Sequence, residues 1–467
     1  MTYYLAIDIG ASSGRHILAH MEDGKLCLEE IHRFENGMKE KNGHLCWDTE
    51  HLFHEVKEGL KKCMARGTVP KTVGIDTWGI DFVLLGDDDD LIGDAVGYRD
   101  SRTNGMDNLV NRTIPAETLY RRTGIQKAIF NTVYQLMAVK EETPEYLEQA
   151  KTMLFMPDYL NFLLTGKKAA EYTIASTSQL LDPVAKDWDA DLFQLLGLPT
   201  HYLQPIVPAG NKLGCFTDEI AEELGFSSNV INVAEHDTGS AVAALPTAED
   251  TVYISSGTWS LMGIERESVD ISDAARAGNF TNEGGYEYRF RFLKNIMGLW
   301  MIQSVRNELC AQGEMYGFGE LCDLASVSHI ESVVRCNDGR FLAPASMICE
   351  IREACRESGQ QVPETAGELA KVVYASLAKC YSETIGEIEA IAGKTYDHIN
   401  IVGGGANASY LNELTAKATG KTVYAGPTEA TAIGNLLVQM IGDGVFGNLD
   451  EARKCVFESF GIKTFPA

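Results

Sequence analysis

A strand, a turn of glycine and serine, and a second strand open this chain, and the same arrangement returns past its midpoint. Leu5-Ala-Ile-Asp-Ile-Gly-Ala-Ser-Ser-Gly-Arg-His-Ile-Leu18 carries the first copy, with the turn at residues 10–14. Residues 251–254, the turn Ser255-Ser-Gly-Thr258 and residues 259–264 carry the second. A supersecondary unit that recurs at this distance points to an internal duplication, and so to a fold grown twice outward from a hairpin. At about 150 residues per domain, 467 residues allow about two to four domains with sizeable cores.

Around both copies short apolar runs alternate with amphipathic stretches, which predicts an α/β architecture. Residues 25–34 extend the first hairpin to an antiparallel meander. Asp48 is placed to cap a helix whose apolar positions Leu52, Phe53, Val56, Leu60, Cys63 and Met64 recur at helical spacing. Residues 73–76 and 82–85 read as strand, turn and strand, closed by the solvated acidic run 87–90. The middle of the chain reads as helical until a strand at 230–234, which runs into Glu235-His-Asp-Thr-Gly239. Residues 246–250 look like a connector. Thr365 and Glu368 form a capping box for a long helix that Gly393 ends; a strand at 399–402, Gly403-Gly-Gly405 and a helix at 409–419 follow.

Forty Lys plus Arg against 66 Asp plus Glu leave a net charge of −26. Such a chain is repelled by phosphate backbones and anionic lipid, so nucleic-acid and membrane-surface partners are not expected, and any anionic ligand must be held by local groups. The 11 cysteines are scattered without a CxxC pair, which argues for reduced thiols and against structural zinc. With no signal-like start and no apolar run near the roughly 18 residues of a membrane span, cytoplasmic residence is expected.

Three turns rich in Gly, Ser or Thr each follow a strand, at 10–14, 255–258 and 403–405. Backbone N–H groups of such turns can converge on phosphate oxygens, although hairpins also use these residues for backbone reasons. The first turn adds Asp8, Ser12, Ser13 and Arg15. Asp8 is suited to a hydrated Mg²⁺ on nucleotide phosphates and Arg15 to charge on a transferring group; a hairpin cap and a solvated arginine are the plain alternatives. A Walker A loop is absent, because Ile388 and Thr415 stand where Gly393-Lys-Thr and Gly420-Lys-Thr would need glycine. Gly403-Gly-Gly-Ala-Asn-Ala408 matches a dinucleotide-binding spacing but lacks the acidic residue roughly 20 positions on.

Asp237 follows a strand and precedes the small residues Gly239, Ser240 and Ala241, so it is either a general base for a hydroxyl group or a helix N-cap. His236 beside it is open between a ligand-binding and a core role. Thr77, Trp78, Gly79 and Asp81, and Tyr98, Arg99, Asp100 and Arg102, are groups able to read a sugar, or else ordinary salt-bridged turns; Asn295 follows an aromatic, basic strand.

Taken together, these segments resemble the FGGY carbohydrate kinases, relatives of actin, hexokinase and the heat-shock chaperone ATPases. Asp8-Ile-Gly-Ala-Ser-Ser-Gly-Arg15 is similar to the family's first phosphate loop, Ser255-Ser-Gly-Thr258 to the second and Ile401-Val-Gly-Gly-Gly405 to the adenosine-side loop. Phe155-Met-Pro-Asp-Tyr-Leu160, Glu171-Tyr-Thr-Ile-Ala-Ser-Thr177 and Thr428-Glu-Ala-Thr-Ala-Ile-Gly434 match as well. Gly74-Ile-Asp-Thr-Trp-Gly-Ile-Asp-Phe-Val83, His236-Asp-Thr238 and Gln135, where the general signature has Lys, resemble the branch that phosphorylates L-rhamnulose.

The resemblance implies two ribonuclease H-like domains, each a mixed β-sheet flanked by helices, with a central cleft, at 1–245 and 246–467. It implies ATP and Mg²⁺ as cofactors and transfer to the C1 hydroxyl of L-rhamnulose, with Asp237 as base. Ala11, Ser12, Ser13, Gly14, Arg15, Thr258, Gln303 and Gly404 would face ATP; Gly79, His236, Thr238 and Asn295 would face sugar; Asp8 would hold Mg²⁺ through water. Another ketose such as L-fuculose or D-xylulose, or an actin- or chaperone-like ATPase, are the alternatives, and monomer or homodimer is left open.

Overall fold

In a computed structural model describing residues 1–247 and 249–467, the opening apolar run is the strand Tyr3–Ile9, buried from Tyr4 onward. Such a run, apolar without alternation, is what a strand covered on both faces requires. It pairs antiparallel with Ser13–Glu22, which pairs antiparallel with Lys25–Glu35, completing the expected meander. Its other edge takes Pro70–Thr77 in parallel, then Asn229–Asn232 in parallel, and Asn211–Cys215 closes this six-stranded sheet antiparallel. The helix Thr49–Ala65 lays Leu52, Val56, Leu60 and Cys63 into a core with Leu5, Ile7, Val73 and Ile75. Asp48 caps it, accepting from His51 N at 3.0 Å.

The second copy builds a sheet by the same rule. Val252–Ser256 pairs antiparallel with Trp259–Arg266 and parallel with His398–Val402, which pairs parallel with Thr422–Ala425. Lys463–Phe465 closes that edge antiparallel, and Phe290–Met297 lies beyond Trp259–Arg266. Five strands repeat the order of the first sheet, so the duplication extends beyond the two hairpins; the edges differ, since the closing antiparallel strand precedes its neighbour in the chain in the first sheet and follows it in the second, and Thr281–Gly284 adds a seventh strand at the other edge. Thr365 and Glu368 form the expected box at the start of the helix Ala366–Ala392, and Gly393 ends it at φ +69°.

The expected strand, turn and strand are present as Pro70–Thr77 and Phe82–Leu85, the latter pairing antiparallel with Thr152–Phe155 and not with the first sheet. One expectation fails, because the middle of the chain is not wholly helical. Ala170–Glu171, Leu181–Asp182, Asp187–Trp188 and Ile206–Val207 form two-residue pairings too short to leave a period-two pattern. The expected connector 246–250 includes Ala248, which lies outside the described residues.

The chain separates into two compact units, one of Met1–Ala244, Glu265–Phe292 and Thr431–Ser459, the other of Leu245–Ile264, Leu293–Ala430 and Phe460–Ala467. Among the described residues no helix is long and apolar enough to cross a membrane.

Candidate active site

Three adjacent parallel strands of the first unit reach their carboxyl ends together, the place where open α/β sheets hold ligands. Tyr3–Ile9 carries Asp8 one residue before its end, and Pro70–Thr77 carries Asp76 at the matching place, directly beside it in register. The chain leaving Asn229–Asn232 returns to this edge: Thr77 N donates to Glu235 O at 2.9 Å, and Thr77 bridges His236. Asp8, Asp76 and the His236-Asp237-Thr238 segment are thereby gathered from 230 residues of sequence onto one sheet edge.

Asp76 has no exposed surface. Asn435 Nδ2 donates to its Oδ2 at 2.6 Å, while Oδ1 has no partner. Burial pushes its carboxyl well above the ordinary value, and the charge of Asp8 adds to the effect. Asn435 belongs to the helix Ala430–Gly442, which Gln439 also ties to the sheet, donating to Leu5 O at 2.9 Å and accepting from Thr72 at 2.6 Å. Gly74 allows this approach, since a Cβ there would lie 2.5 Å from Val233 and 2.6 Å from Asn435 Oδ1.

The first turn is pinned from both sides. Gly10 N donates to Ser13 O at 2.9 Å, and Asn36 donates from Nδ2 to Gly10 O at 2.8 Å and from N to Ser12 O at 3.0 Å. Gly14 lies under Phe34, whose ring would be 2.2 Å from a Cβ. Ser12 is exposed, with Ala11 and Ser13 half-buried. Arg15 is no solvated strand residue: its Nε and Nη2 both donate to Asp8 Oδ2, at 3.0 and 2.9 Å.

Asp237 begins the short helix Asp237–Ala243, with His236 as the N-cap residue, so Asp237 itself is not the cap. The helix is gripped at both faces. A Cβ on Gly434 would fall 1.7 Å from Ser240 O, and Arg453 donates to Val242 O at 2.9 Å and Ala243 O at 3.2 Å. Asp237 Oδ1 accepts from Thr238 N at 2.6 Å. The side chain keeps 29% of its surface exposed and is reachable, yet burial of the site and then the charge of Asp8 push its carboxyl up to about 7.

Behind this segment sits Arg291, whose side chain is fully buried. It donates to Gly284 O at 2.8 Å, Thr238 Oγ1 at 2.7 Å, His236 Nδ1 at 2.9 Å and Glu283 Oε2 at 3.1 Å. Burial, and secondarily Arg291, hold the His236 imidazole well below its ordinary pKa. Gly79 faces His236, with room for a Cβ only 3.3 Å from Nε2. Farther in, Glu171 Oε2 accepts from Thr173 N, Thr173 Oγ1, Ile174 N and Glu235 N, and Thr173 Oγ1 accepts from His236 N at 3.2 Å.

Trp78 and Asp81, read from sequence as able to contact sugar, are spent internally. Trp47 and Trp78 pack with ring centroids 3.9 Å apart and planes tilted by 33°, and both indoles donate to Asp81 Oδ2, at 2.7 and 2.9 Å. Tyr98 N donates to the same oxygen at 3.1 Å and Gln135 to Oδ1 at 2.8 Å. Arg102 in turn donates to Gln135, and Asp100 accepts from Leu45 N and Arg102 N, so this second group is a hydrogen-bonded loop.

In the second unit the other two turns interlock. Gly405 lies against Ser256, whose Oγ would be 1.9 Å from a Cβ, and Gly403 adopts φ +82° over Ser256 O. Gly404 is open, with nothing within 4 Å of its Cβ direction. Trp300 N donates to Thr258 O at 3.0 Å, tying the exposed Thr258 to the start of the helix Trp300–Ala311, and Gln303 lies one turn in. Asn295 is half-buried on the strand Phe290–Met297. Residues 403–408 do not open a helix directly, since Gly404–Asn407 is a 3-10 turn before the helix Ser409–Thr419, which sets aside the dinucleotide spacing.

Sequence reasoning passed over Asp76, Glu171, Glu283, Arg291 and Asn435. The available signal was charge in apolar strands: an Asp near the end of 70–77 and an Arg inside 290–297 must find partners when buried.

Residues 3–244 match the N-terminal domain, and residues 252–442 the C-terminal domain, of the FGGY family of carbohydrate kinases. The chain is 50% identical to a rhamnulokinase of Halalkalibacterium halodurans over 465 residues, covering all of this chain and 99% of that protein. A rhamnulokinase of Bacillus subtilis is 43% identical, with 99% and 95% covered. Among solved structures, a ligand-bound xylulose kinase from Lactobacillus acidophilus superposes with a TM-score of 0.81 at 17% identity, covering 100% of this chain and 94% of that one. Plasmodium falciparum glycerol kinase with ADP gives 0.79 at 13% identity, covering 99% and 94%; both share the fold. A duplicated mixed sheet with a buried acidic edge, matched along nearly the whole chain, leaves one assignment: the protein belongs to the FGGY family of carbohydrate kinases.

Proposed function

We propose that the protein transfers the γ-phosphoryl group of ATP to the C1 hydroxyl of L-rhamnulose, giving L-rhamnulose 1-phosphate and ADP. The observation that carries this is Asp237, a reachable carboxylate at the carboxyl edge of the sheet with its pKa pushed up to about 7, in a chain whose full-length relatives are named rhamnulokinases. A base of that strength is matched to neutral pH. Asp237 takes the C1 proton as the C1 oxygen attacks phosphorus in line; the bond from phosphorus to the β–γ bridging oxygen breaks and ADP leaves.

We assign Ala11, Ser12, Ser13, Gly14 and Arg15 to the phosphates, with Thr258, Gln303 and Gly404 also on ATP. Gly79, His236, Thr238 and Asn295 are assigned to the sugar. Residues 1–245 thus supply the first phosphate loop, the base and the sugar groups other than Asn295, and residues 246–467 supply Asn295 and the nucleotide groups.

The Asp8 and Asp76 pair fits a divalent cation: two carboxyls in register, the charge of Asp8 adding to burial in raising the Asp76 carboxyl, and Asp76 with an unpartnered buried oxygen. Mg²⁺ held there, through water on Asp8, would neutralise charge on the ATP phosphates. We place the enzyme in the cytoplasm, as monomer or homodimer, with neither nucleic acid nor membrane as partner.

A coupled ADP-release assay over L-rhamnulose, L-fuculose and D-xylulose tests the substrate. Turnover of either of the latter far above L-rhamnulose would overturn the assignment, and sugar-independent ATP hydrolysis surviving Asp237→Ala would favour an ATPase instead.

A further inference from the structure

Arg291 has only protons to offer, and this decides the state of everything it touches. Its Nη2 lies 2.9 Å from His236 Nδ1, so Nδ1 must present a lone pair. Glu283 Oε2 also lies 3.4 Å from Nδ1 and would suit a proton there, but that proton would meet the Arg291 N–H head-on at the shorter distance. Glu283 is already served by the same Nη2 at 3.1 Å. A neutral imidazole with a bare Nδ1 carries its hydrogen on Nε2, the side that lies 3.5 Å from Asp237 Oδ1.

Thr238 is fixed in the same way. Its Oγ1 accepts from Arg291 Nη1 at 2.7 Å, which leaves its own hydrogen to be given away. The two His236 nitrogens do not take it: Oγ1 is nearly equidistant from them, at 3.3 and 3.2 Å, and so lies along neither ring lone pair.

We propose that Arg291 is a specificity-determining positioning residue, which locks His236 as an Nε2–H donor and Thr238 as an O–H donor, so that the sugar subsite beside Asp237 offers two donors and one acceptor. This rests on the assignment of Asp237 as base. Such a pattern takes an α-hydroxyketone whose attacked hydroxyl gives its proton to Asp237 while neighbouring carbonyl and hydroxyl oxygens accept from His236 and Thr238. An analogue lacking one of those oxygens leaves a buried donor unpaired, the strongest form of discrimination available to such a pocket. The charged groups around the imidazole are Arg291, Glu283 and Asp237, and burial with Arg291 keeps it neutral.

The test reads the tautomer directly. Protein labelled with ¹⁵N-histidine, without sugar, is examined by long-range ¹H–¹⁵N correlation, with His236→Gln supplying the assignment. His236 should show a protonated Nε2 and a bare Nδ1 throughout pH 6 to 9. Arg291→Met should lose the single tautomer and raise KM for the sugar about 10- to 100-fold with KM for ATP unchanged, and Arg291→Lys should recover part of both. A protonated Nδ1 in the wild type overturns the proposal, as does an Arg291→Met enzyme that keeps both the tautomer and its sugar KM. If Arg291→Met does not fold, the wild-type spectrum decides alone. Because that spectrum is recorded without substrate, its outcome stands apart from whether L-rhamnulose is the sugar.

Discussion

Asp8 and Asp76 face one another across two parallel strands, one carboxylate tied to Arg15 and the other with an oxygen that has no partner. Two acids placed so, without a cation, repel, and the cost falls on the more buried Asp76. Asp76→Asn removes that repulsion and also one wall of the proposed cation site. The variant should bind Mg²⁺ about 10-fold more weakly, read from the Mg²⁺ dependence of turnover at fixed ATP, and stripping the wild type with EDTA should stop transfer reversibly. An unchanged Mg²⁺ dependence would remove Asp76 from the site.

The base must be ionised to work. With its pKa up at about 7, Asp237 is mostly protonated below that value, so kcat/KM should rise with pH through about 7 and then level. Two pH units below, at about pH 5, it should be about 100-fold lower. Asp237→Asn should cost roughly 10²- to 10⁴-fold in kcat while ATP still binds, which equilibrium titration with an ATP analogue checks.

Glu171 ties the base segment to the rest of the first unit and is buried with Asp158 and Glu235, burial raising all three carboxyls. The folded state holds these protons more tightly than the unfolded chain, the reverse of a salt-bridged acid. Stability should therefore fall as pH rises from about 4.5, the ordinary value for Glu171, through its folded value of about 7. Glu171→Gln keeps an oxygen for Thr173, Ile174 and Glu235 and cannot ionise, so its urea midpoint should vary less between pH 5 and 8 than that of the wild type. Parallel curves would count against this.

Gly405 and Ser256 compete for one volume. Gly405→Ala should destabilise the protein by about 1–3 kcal/mol and raise KM for ATP, and Ser256→Gly in the same chain should restore part of both. A double-mutant cycle by thermal unfolding reads the coupling; strict additivity would contradict the contact.

Much of the scaffold was legible because it rests on local pattern. Apolar runs bounded by Gly and Ser gave the two hairpins, and helical spacing behind Asp48 gave Thr49–Ala65. What stayed hidden depends on who arrives from afar. Asp81 looked free until Trp47 and Gln135 reached it, and Asp76 passed as the last residue of a strand until Asn435 bonded to it. Arg291 read as one basic residue among aromatics, since nothing local says that Glu283, Thr238 and His236 surround it. The turns holding Thr258 and Gly404 were legible as phosphate-binding candidates, whereas Gln303 was named through resemblance alone, since a glutamine one turn into a helix carries no local signal.

The helix that carries Asp237 is held by Gly434 and Arg453, residues from the last stretch of the first unit. Synthesis runs from the N-terminus, so a chain emerging from the ribosome displays the base, the paired acids' strands and the first phosphate turn long before their buttress exists. The buttress of the base is therefore among the last parts to be made, and a message cut short before residue 431 yields a product that contains every residue assigned to the chemistry yet lacks the side chains that grip the helix of Asp237.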